Sequence, residues 1–451
     1  MTNKTKRILI FIICFLCFLW GFFAIQDLFK ADDKNTFQGI SGFYSEPKDS
    51  LDAVMIGAST VHAFWQPALA WADHGIAVYS LSVDSMRVQS YLYMLTEAHR
   101  RQPHALYIVN LNSIKSTKIT DVDIHRTTNL IPFSYNKLKM INNLANEAGY
   151  KWLEQLQFYF PIIRFHSDWP NLTTWEFSKS VDGLKHSYKN NTFLSKVEDQ
   201  TEKFYISDEE AEIPPETRQI IENLLDYCDE HQMNVLFISV PQALGRNSQF
   251  FRILTSVKKV IQERGYPYLD LQHAVDEMGI QPKTDFYNGG HTNVHGSIKF
   301  TEYLAQYLVD HYGFRDKRGM PGWESWDKAA ELYANIINPY CLPFEREHAV
   351  RNYDLEAPVL NEAVVDGQTI TLSWNAADGA DAYDIYRKSN ISGDKDWAYL
   401  DSVDAETLQI TDSGLKAAKN YTYTVVPKEI RDGIEYYGNF DFTGVTGTTA
   451  K

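Results

Sequence analysis

Two side chains stand where nucleophilic catalysis needs them, a histidine in a glycine-bounded loop and a serine on a strand-to-helix turn. His291 lies in the stretch 284–304, TDFYNGGHTNVHGSIKFTEYL. Gly289 and Gly290 let the backbone bend ahead of it, and Gly296 permits close packing as the chain turns. Beyond them Ile298, Phe300, Tyr303, Leu304 and Tyr307 recur at helical spacing, so the helix they predict buries one face and holds the loop in front of it. His291 then stands on a rigid support, where an imidazole can act as a general base. Ser59 follows the apolar stretch 53–56 and the turn Gly57-Ala58, at the start of a second predicted helix. A serine hydroxyl is a weak nucleophile at its own pKa and needs a base within hydrogen-bond reach. Each residue alone has a plainer role, a hydrogen-bonded loop histidine or a helix N-cap. Together they suit a base-activated nucleophile.

The elements that must bring these residues together read as a three-layer α/β domain. Short apolar strands are predicted over 53–56, 77–81, 105–111, 235–241 and 268–271. Helices are predicted over 87–101, 218–231, 257–264 and 326–337. Strands alternating with helices imply a doubly wound parallel sheet covered on both faces, with ligands beyond the carboxyl ends of the strands. A helical insert interrupts the pattern at about 120–212. Its stretch 158–172, FYFPIIRFHSDWPNL, mixes aromatic rings such as Trp169 with Arg164, His166 and Asp168. Such a mixture suits either a sugar pocket or an ordinary aromatic core. The polar stretch 187–212 reads as surface or lid.

Residues 356–449 change character. Alternation of period two over 369–374, 382–386 and 421–425, with turns such as Asp378-Gly379 and Asp432-Gly433, predicts an all-β sandwich behind a linker at 346–355. From Arg351 onward there are nine Lys and Arg against seventeen Asp and Glu, over half of the formal charge of -15. An acidic chain excludes a nucleic-acid binder, and an acidic module does not hold polyphosphate electrostatically. A spacer or protein-docking role suits it better.

Residues 8–25 form an unbroken run of eighteen apolar or Gly residues preceded by Lys4, Lys6 and Arg7. That length can span a bilayer, and the basic flank predicts a cytoplasmic N-terminus with the bulk of the chain outside. The residues after Ile25 offer no small-residue cleavage pattern, so residues 1–30 read as a retained signal-anchor. Cys14 and Cys17 fall inside the run. Cys228 and Cys341 are the remaining thiols, too few for a disulfide framework.

The blocks Gly57-Ala58-Ser59-Thr60, Asn110 with Asn112, and His291-Thr292-Asn293 before Gly296 resemble those of the SGNH (GDSL-like) hydrolase superfamily. More narrowly they are similar to membrane-anchored proteins related to D-alanyl lipoteichoic acid transfer and polysaccharide O-acetylation. The resemblance covers roughly 45–345 and extends to the insert segments 123–126, 133–137 and 160–169. Residues 356–449, with Trp374 early and Tyr421 and Tyr423 late, resemble a fibronectin type III domain.

The superfamily resemblance implies that Ser59 attacks an ester, that His291 serves as base, and that the oxyanion is met by the Ser59 amide, the Ser82 amide and the side chain of Asn112 or Asn110. Asn112 is preferred because Asn110 falls within the strand. The superfamily carries Asp three positions before its histidine. Here that position is Asn288, and Asp285 lies six before, so either can orient the imidazole. Ser82 stands where the superfamily offers a glycine. His62, Arg164, His166, Trp169 and Asn293 are candidates for substrate contact, while His295 reads as structural. The expected activity is an extracytoplasmic serine esterase or O-acyltransferase, moving an acetyl or other acyl group on a cell-envelope glycan or small ester. A transferase of this kind needs a multi-spanning membrane acyltransferase as partner. No metal or organic cofactor is implied. The alternative is a non-catalytic SGNH-like scaffold of an envelope complex.

Overall fold

Alternate residues of the first strand face two different cores. This is the arrangement in a computed structural model that describes residues 3–29, 34–115, 117–174, 188–198, 200, 203–245, 248–347 and 349–451. Part of the expected insert and part of its polar stretch lie outside those residues. The chain divides into two units, Met1–Leu332 and Tyr333–Lys451.

In the first unit, α1 (Asn3–Leu28) and α2 (Lys34–Ser45) precede the sheet. The strands are β1 (Ala53–Gly57), β2 (Val78–Ser82), β3 (Leu106–Asn110), β4 (Val235–Ser239) and β5 (Tyr268–Asp270), all parallel in the order β2-β1-β3-β4-β5. Val54 and Ile56 join one apolar cluster with Phe43, Leu95 and Leu225. Ala53 and Met55 join another with Phe64, Trp65 and Phe300. Burial on both faces is what a parallel sheet requires, and the expected strands and the mixed α/β class agree with it. This order reverses direction between β1 and β3, and open sheets place their ligands at such a switch point, beyond the strand ends.

The covering helices nearest the site are α3 (Ser59–Phe64), α4 (Pro67–His74) and α5 (Tyr91–Arg101). The insert contributes α6 (Asp121–Thr128), α7 (Tyr135–Glu147), α8 (Trp152–Tyr159) and α9 (Pro161–Phe165). The chain returns through α10 (Pro215–Glu230), α11 (Ser248–Glu263), α12 (Val275–Met278), α13 (Val294–Tyr312) and α14 (Glu324–Ile337). Helix α11 begins nine residues before the expected 257, because Phe250, Phe251 and Leu254 also reach the core.

Phe64 shows how α3 is fixed. Its ring meets Phe300 of α13 edge-on at 5.2 Å and Phe286 at 6.3 Å. Thr301 accepts the Gln66 N–H and donates to the Phe64 carbonyl. Truncating a ring so enclosed costs about 3–5 kcal/mol. The helix that carries Ser59 is therefore bolted to the helix that follows His291.

In the second unit, after α15 (Pro343–Arg346), strands β8 (Val364–Asp366), β9 (Thr369–Ser373) and β12 (Gln409–Asp412) form one antiparallel sheet. The other holds β10 (Ala382–Ser389), β11 (Ala398–Asp404), β13 (Asn420–Arg431), β14 (Ile434–Tyr437) and β15 (Val445–Thr448). Ile370, Leu372 and Trp374 pack against Tyr383, Ile385, Tyr423 and Val425 between the sheets, as the alternation predicts. Tyr423 donates its hydroxyl to Asp412 at 2.8 Å, and Arg387 pairs with the same carboxylate, so these three groups satisfy one another.

Helix α1 carries a 24-residue segment, Thr5–Leu28, long and apolar enough to cross a membrane.

Candidate active site

The hairpin that presents His291 is built on a two-residue Gly-Gly turn. Strands β6 (Phe286–Asn288) and β7 (His291–Thr292) pair antiparallel with Asn288 opposite His291. A side chain at Gly289 would meet Leu244 and the Ala243 carbonyl at 2.8 and 2.9 Å. One at Gly296 would overlap the Asp285 carbonyl. Both positions therefore need glycine, and the loop is pressed against the body of the domain. Asn293 caps α13, accepting the Gly296 N–H and donating to the Thr284 carbonyl at 2.7 Å. Thr292 ties β7 to α3 through the Ala63 carbonyl.

Across the cleft, Ser59 opens α3, whose first amides have no partner within the helix. Its Oγ lies 2.8 Å from His291 Nε2, and His291 Nδ1 lies 2.9 Å from Asn288 Oδ1. An amide oxygen can only accept, so it selects the imidazole tautomer with the proton on Nδ1 and leaves Nε2 able to take the serine proton. Asn288 Oδ1 also accepts the Gly290 N–H at 3.0 Å, which fixes its orientation.

Asp285, the other candidate for that place, is committed elsewhere. It pairs with buried Lys299 at 2.7 Å and accepts the Gln281 N–H and the Thr284 hydroxyl. The reason lies in α13, which turns Lys299 into the core. A buried ammonium needs an anion, and Asp285 supplies it. Asp285 thus supports the loop through Lys299, Gln281 and Thr284.

The two asparagines, of which Asn112 is the expected oxyanion donor, are bonded differently. Asn112 donates to the Val240 carbonyl at 3.0 Å and accepts the Val240 N–H at 2.8 Å, so its amide staples β3 to the end of β4. Asn110 accepts the Asn112 N–H, while its own Nδ2 is buried without a partner among the described residues. Its Cβ would be 3.1 Å from a side chain at Gly57, two residues before Ser59. That unpartnered N–H stands beside the strand that leads into Ser59, although Asn110 itself is fully buried and does not line the cleft.

Ser82, at the end of β2 and in register with Gly57, uses its hydroxyl on His62 Nδ1 at 3.0 Å. His62 Nε2 meets Asp84 at 3.1 Å. The hydrogen bond from His62 holds the Asp84 carboxyl below the usual carboxylate range, and the nearby charges of His62, Arg126 and His291 act in the same direction. The Ser82–His62–Asp84 chain was not anticipated as a unit. The parallel register of β1 and β2 was the available signal, since it sets residue 82 beside the strand that leads into Ser59.

Ser59, His62, Ser82, Asp84, Asn288 and His291 line a cleft of about 510 Å³ that also takes in Asn190, Asn191, Thr192, Leu194 and Tyr287; Asn110, Asn112 and Asp285 do not line it. Part of the stretch expected to be surface or lid thus lines the cleft. Asn190 donates to the Ser80 and Ser82 carbonyls, Thr192 N–H reaches the His62 carbonyl, and Lys189 is buried against Glu46 at 2.6 Å.

Arg164, His166 and Trp169 do not line the cleft. Arg164 faces Asp121 at 3.4 Å, His166 turns to the Ile163 carbonyl, and Trp169 stacks on Phe29 at 6.0 Å. The segment is drawn towards α1 by its backbone, where Ile162 N–H bonds the Gln26 side chain. Asn293 is likewise a helix cap, not a cleft residue.

Comparison with protein-family models and with curated proteins found no match. Among solved structures, the antiparallel sandwich is similar to fibronectin type III domains. An FN3 domain of human collagen XX shares 22% identity over 22% of this chain and 98% of its own, with a TM-score of 0.18. An Fn3-like protein from Clostridium thermocellum shares 29% over 19% of this chain and 88% of its own, with a TM-score of 0.16. A beta-1,2-glucanase from Parabacteroides distasonis shares 22% over 23% of this chain and 14% of its own, with a TM-score of 0.18. The chain carries a mixed α/β domain with a parallel sheet, an antiparallel β sandwich to which these matches fall, and an apolar N-terminal helix.

Proposed function

We propose that this chain is a membrane-anchored extracytoplasmic serine esterase or O-acyltransferase, acting through an acyl-enzyme on Ser59. The observation that carries the reading is the continuous relay from Ser59 Oγ through His291 to Asn288 inside a polar cleft. Ser59 gives its proton to His291 Nε2 as its oxygen bonds the ester carbonyl carbon. The carbonyl oxygen becomes an oxyanion, met by the Ser59 amide and Asn110. Collapse expels the alcohol, which takes the proton from His291. Water or a sugar hydroxyl, giving its proton to His291, then attacks the acyl carbon, and the bond to Ser59 Oγ breaks as that oxygen takes the proton back from His291. Hydrolysis and transfer differ only in that acceptor.

The motif resemblance to SGNH hydrolases and the switch-point position of Ser59 support the same class. A wall of Asn190, Asn191, Thr192 and Asp84 with Tyr287 offers hydroxyl-binding groups and one aromatic face, which suits a glycan acceptor. The basic flank of α1 supports a cytoplasmic N-terminus, and transfer would draw its acyl group from a multi-spanning membrane acyltransferase. One observation favours the scaffold reading instead. His291 has an amide, not a carboxylate, on Nδ1.

The test is the detergent-purified full chain with a serine-directed fluorophosphonate and a chromogenic acetyl ester. The parent should label and turn over, and Ser59→Ala should do neither. Equal labelling and turnover of the two would reject the catalytic reading.

A further inference from the structure

We propose that residues 160–171 form a foot in the headgroup layer of the membrane that α1 crosses, fixing the cleft-bearing unit against the lipid surface. The inference rests on α1 being a membrane anchor. Its apolar run ends at Ile25, so the edge of the hydrocarbon falls near that residue. Phe22 lies about 4.5 Å inside that edge at a rise of 1.5 Å per residue. Phe160 packs on Phe22 at 5.8 Å, Ile162 N–H bonds the Gln26 Oε1 at 2.9 Å, and Trp169 stacks on Phe29 at 6.0 Å. These contacts run along the last turns of α1 and onto Phe29 just after it, across the boundary. If α1 is in the bilayer, the segment is at the depth of its surface.

The composition fits that depth. Ile163 is 49% exposed and Trp169 60%, a loss in water and a gain in the interfacial layer, where tryptophan concentrates. Arg164, His166, Ser167 and Asp168 are exposed among them, so the segment suits headgroups rather than the hydrocarbon interior. At this depth the Gln26 bond to the Ile162 amide has little water to compete with it, which stabilises the junction. A lipid surface is favoured over a protein partner because the depth is set by α1 itself.

The test uses the full chain in phosphatidylcholine–phosphatidylglycerol vesicles with an environment-sensitive nitrobenzoxadiazole label on single cysteines. Native Cys17 serves on a Cys14→Ala background, and Ile163→Cys and Glu263→Cys on Cys14→Ala/Cys17→Ala. Cys228 and Cys341 are buried in the folded protein and escape the reagent. Lipids brominated near the headgroup should quench the label at 163 severalfold more than the label at 263, and blue-shift distinguishes the two as well. If 163 behaves like 263 while Cys17 is quenched by deeply brominated lipid, the foot is wrong and the anchor stands. If Cys17 is not quenched either, both fall. If 163 is shielded from lipid bromine and from aqueous iodide alike, protein covers it and the foot is again wrong.

Discussion

Asn288 Oδ1 sits 2.9 Å from His291 Nδ1, in the place where a serine triad ordinarily keeps a carboxylate, and it is clamped there by the Gly290 N–H. The amide settles the tautomer but adds no negative charge when the imidazole becomes an imidazolium. Loss of triad charge and tautomer together costs about 10⁴ in kcat. Here the tautomer is correct, so only the charge is missing.

Asn288→Asp should therefore raise kcat with the acetyl ester about tenfold or more. It should also move the acid limb of kcat/KM to higher pH, because a carboxylate beside the imidazolium raises the imidazole pKa and the neutral form is the base. Asn288→Ala should lower kcat at least about tenfold by freeing the tautomer. Stopped assays across pH 5–9 measure both. A slower Asn288→Asp enzyme with unchanged Tm would count against the relay as drawn.

Asp285→Ala should act on stability and not on chemistry. It leaves Lys299 buried without its anion, a loss of about 3–5 kcal/mol. Calorimetry should show a large fall in Tm, while kcat per folded molecule near 20 °C stays within about twofold. The double variant Asp285→Leu/Lys299→Met should recover much of the Tm, since replacing a buried pair by apolar groups is often neutral. A fall in kcat that the double variant does not recover would return Asp285 to the relay.

The three-or-six spacing left Asn288 and Asp285 open, yet the sequence held a signal for the pair 288/291. Gly289-Gly290 between short extended pieces is a two-residue hairpin turn, and such a turn sets its flanking residues opposite each other. Lys299 carried the complementary signal, a charge on the apolar face of α13 that demands a buried acid. The strands were readable because apolar runs end at turns, and the sandwich because its alternation is strict. What could not be read was the choice between Asn110 and Asn112. Both lie where β3 ends, and only the approach of Val240 from β4, about 130 residues on, consumes one amide and spares the other.

That difference is measurable. Asn110→Ala should lower kcat about 10²- to 10³-fold if its free N–H meets the oxyanion. Asn112→Ala should mainly lower stability, by about 1–3 kcal/mol for each Val240 group left unpaired. Both purified variants are compared by kcat against Tm. A reversed pattern would restore Asn112 as the donor.

Asp84 offers a second probe of the same imidazole, with the opposite sign. Its carboxylate is faced by His62 at 3.1 Å, by the charge of Arg126 and, across the cleft, by His291. The attraction that lowers the Asp84 pKa also favours the imidazolium of His291. Asp84→Asn removes it, so the His291 pKa should fall and the acid limb of kcat/KM should move to lower pH, opposite to the shift in Asn288→Asp. For stability, a carboxyl whose folded pKa is depressed contributes above its unfolded pKa, and that contribution disappears as pH falls through the folded value. The parent should therefore lose part of its Tm advantage over Asp84→Asn below about pH 4. Combining Asp84→Asn with Asn288→Asp should bring the limb back towards the parent position if both charges act on His291. An acid limb that stays fixed in Asp84→Asn would show that the His62–Asp84 pair serves the substrate and not the base.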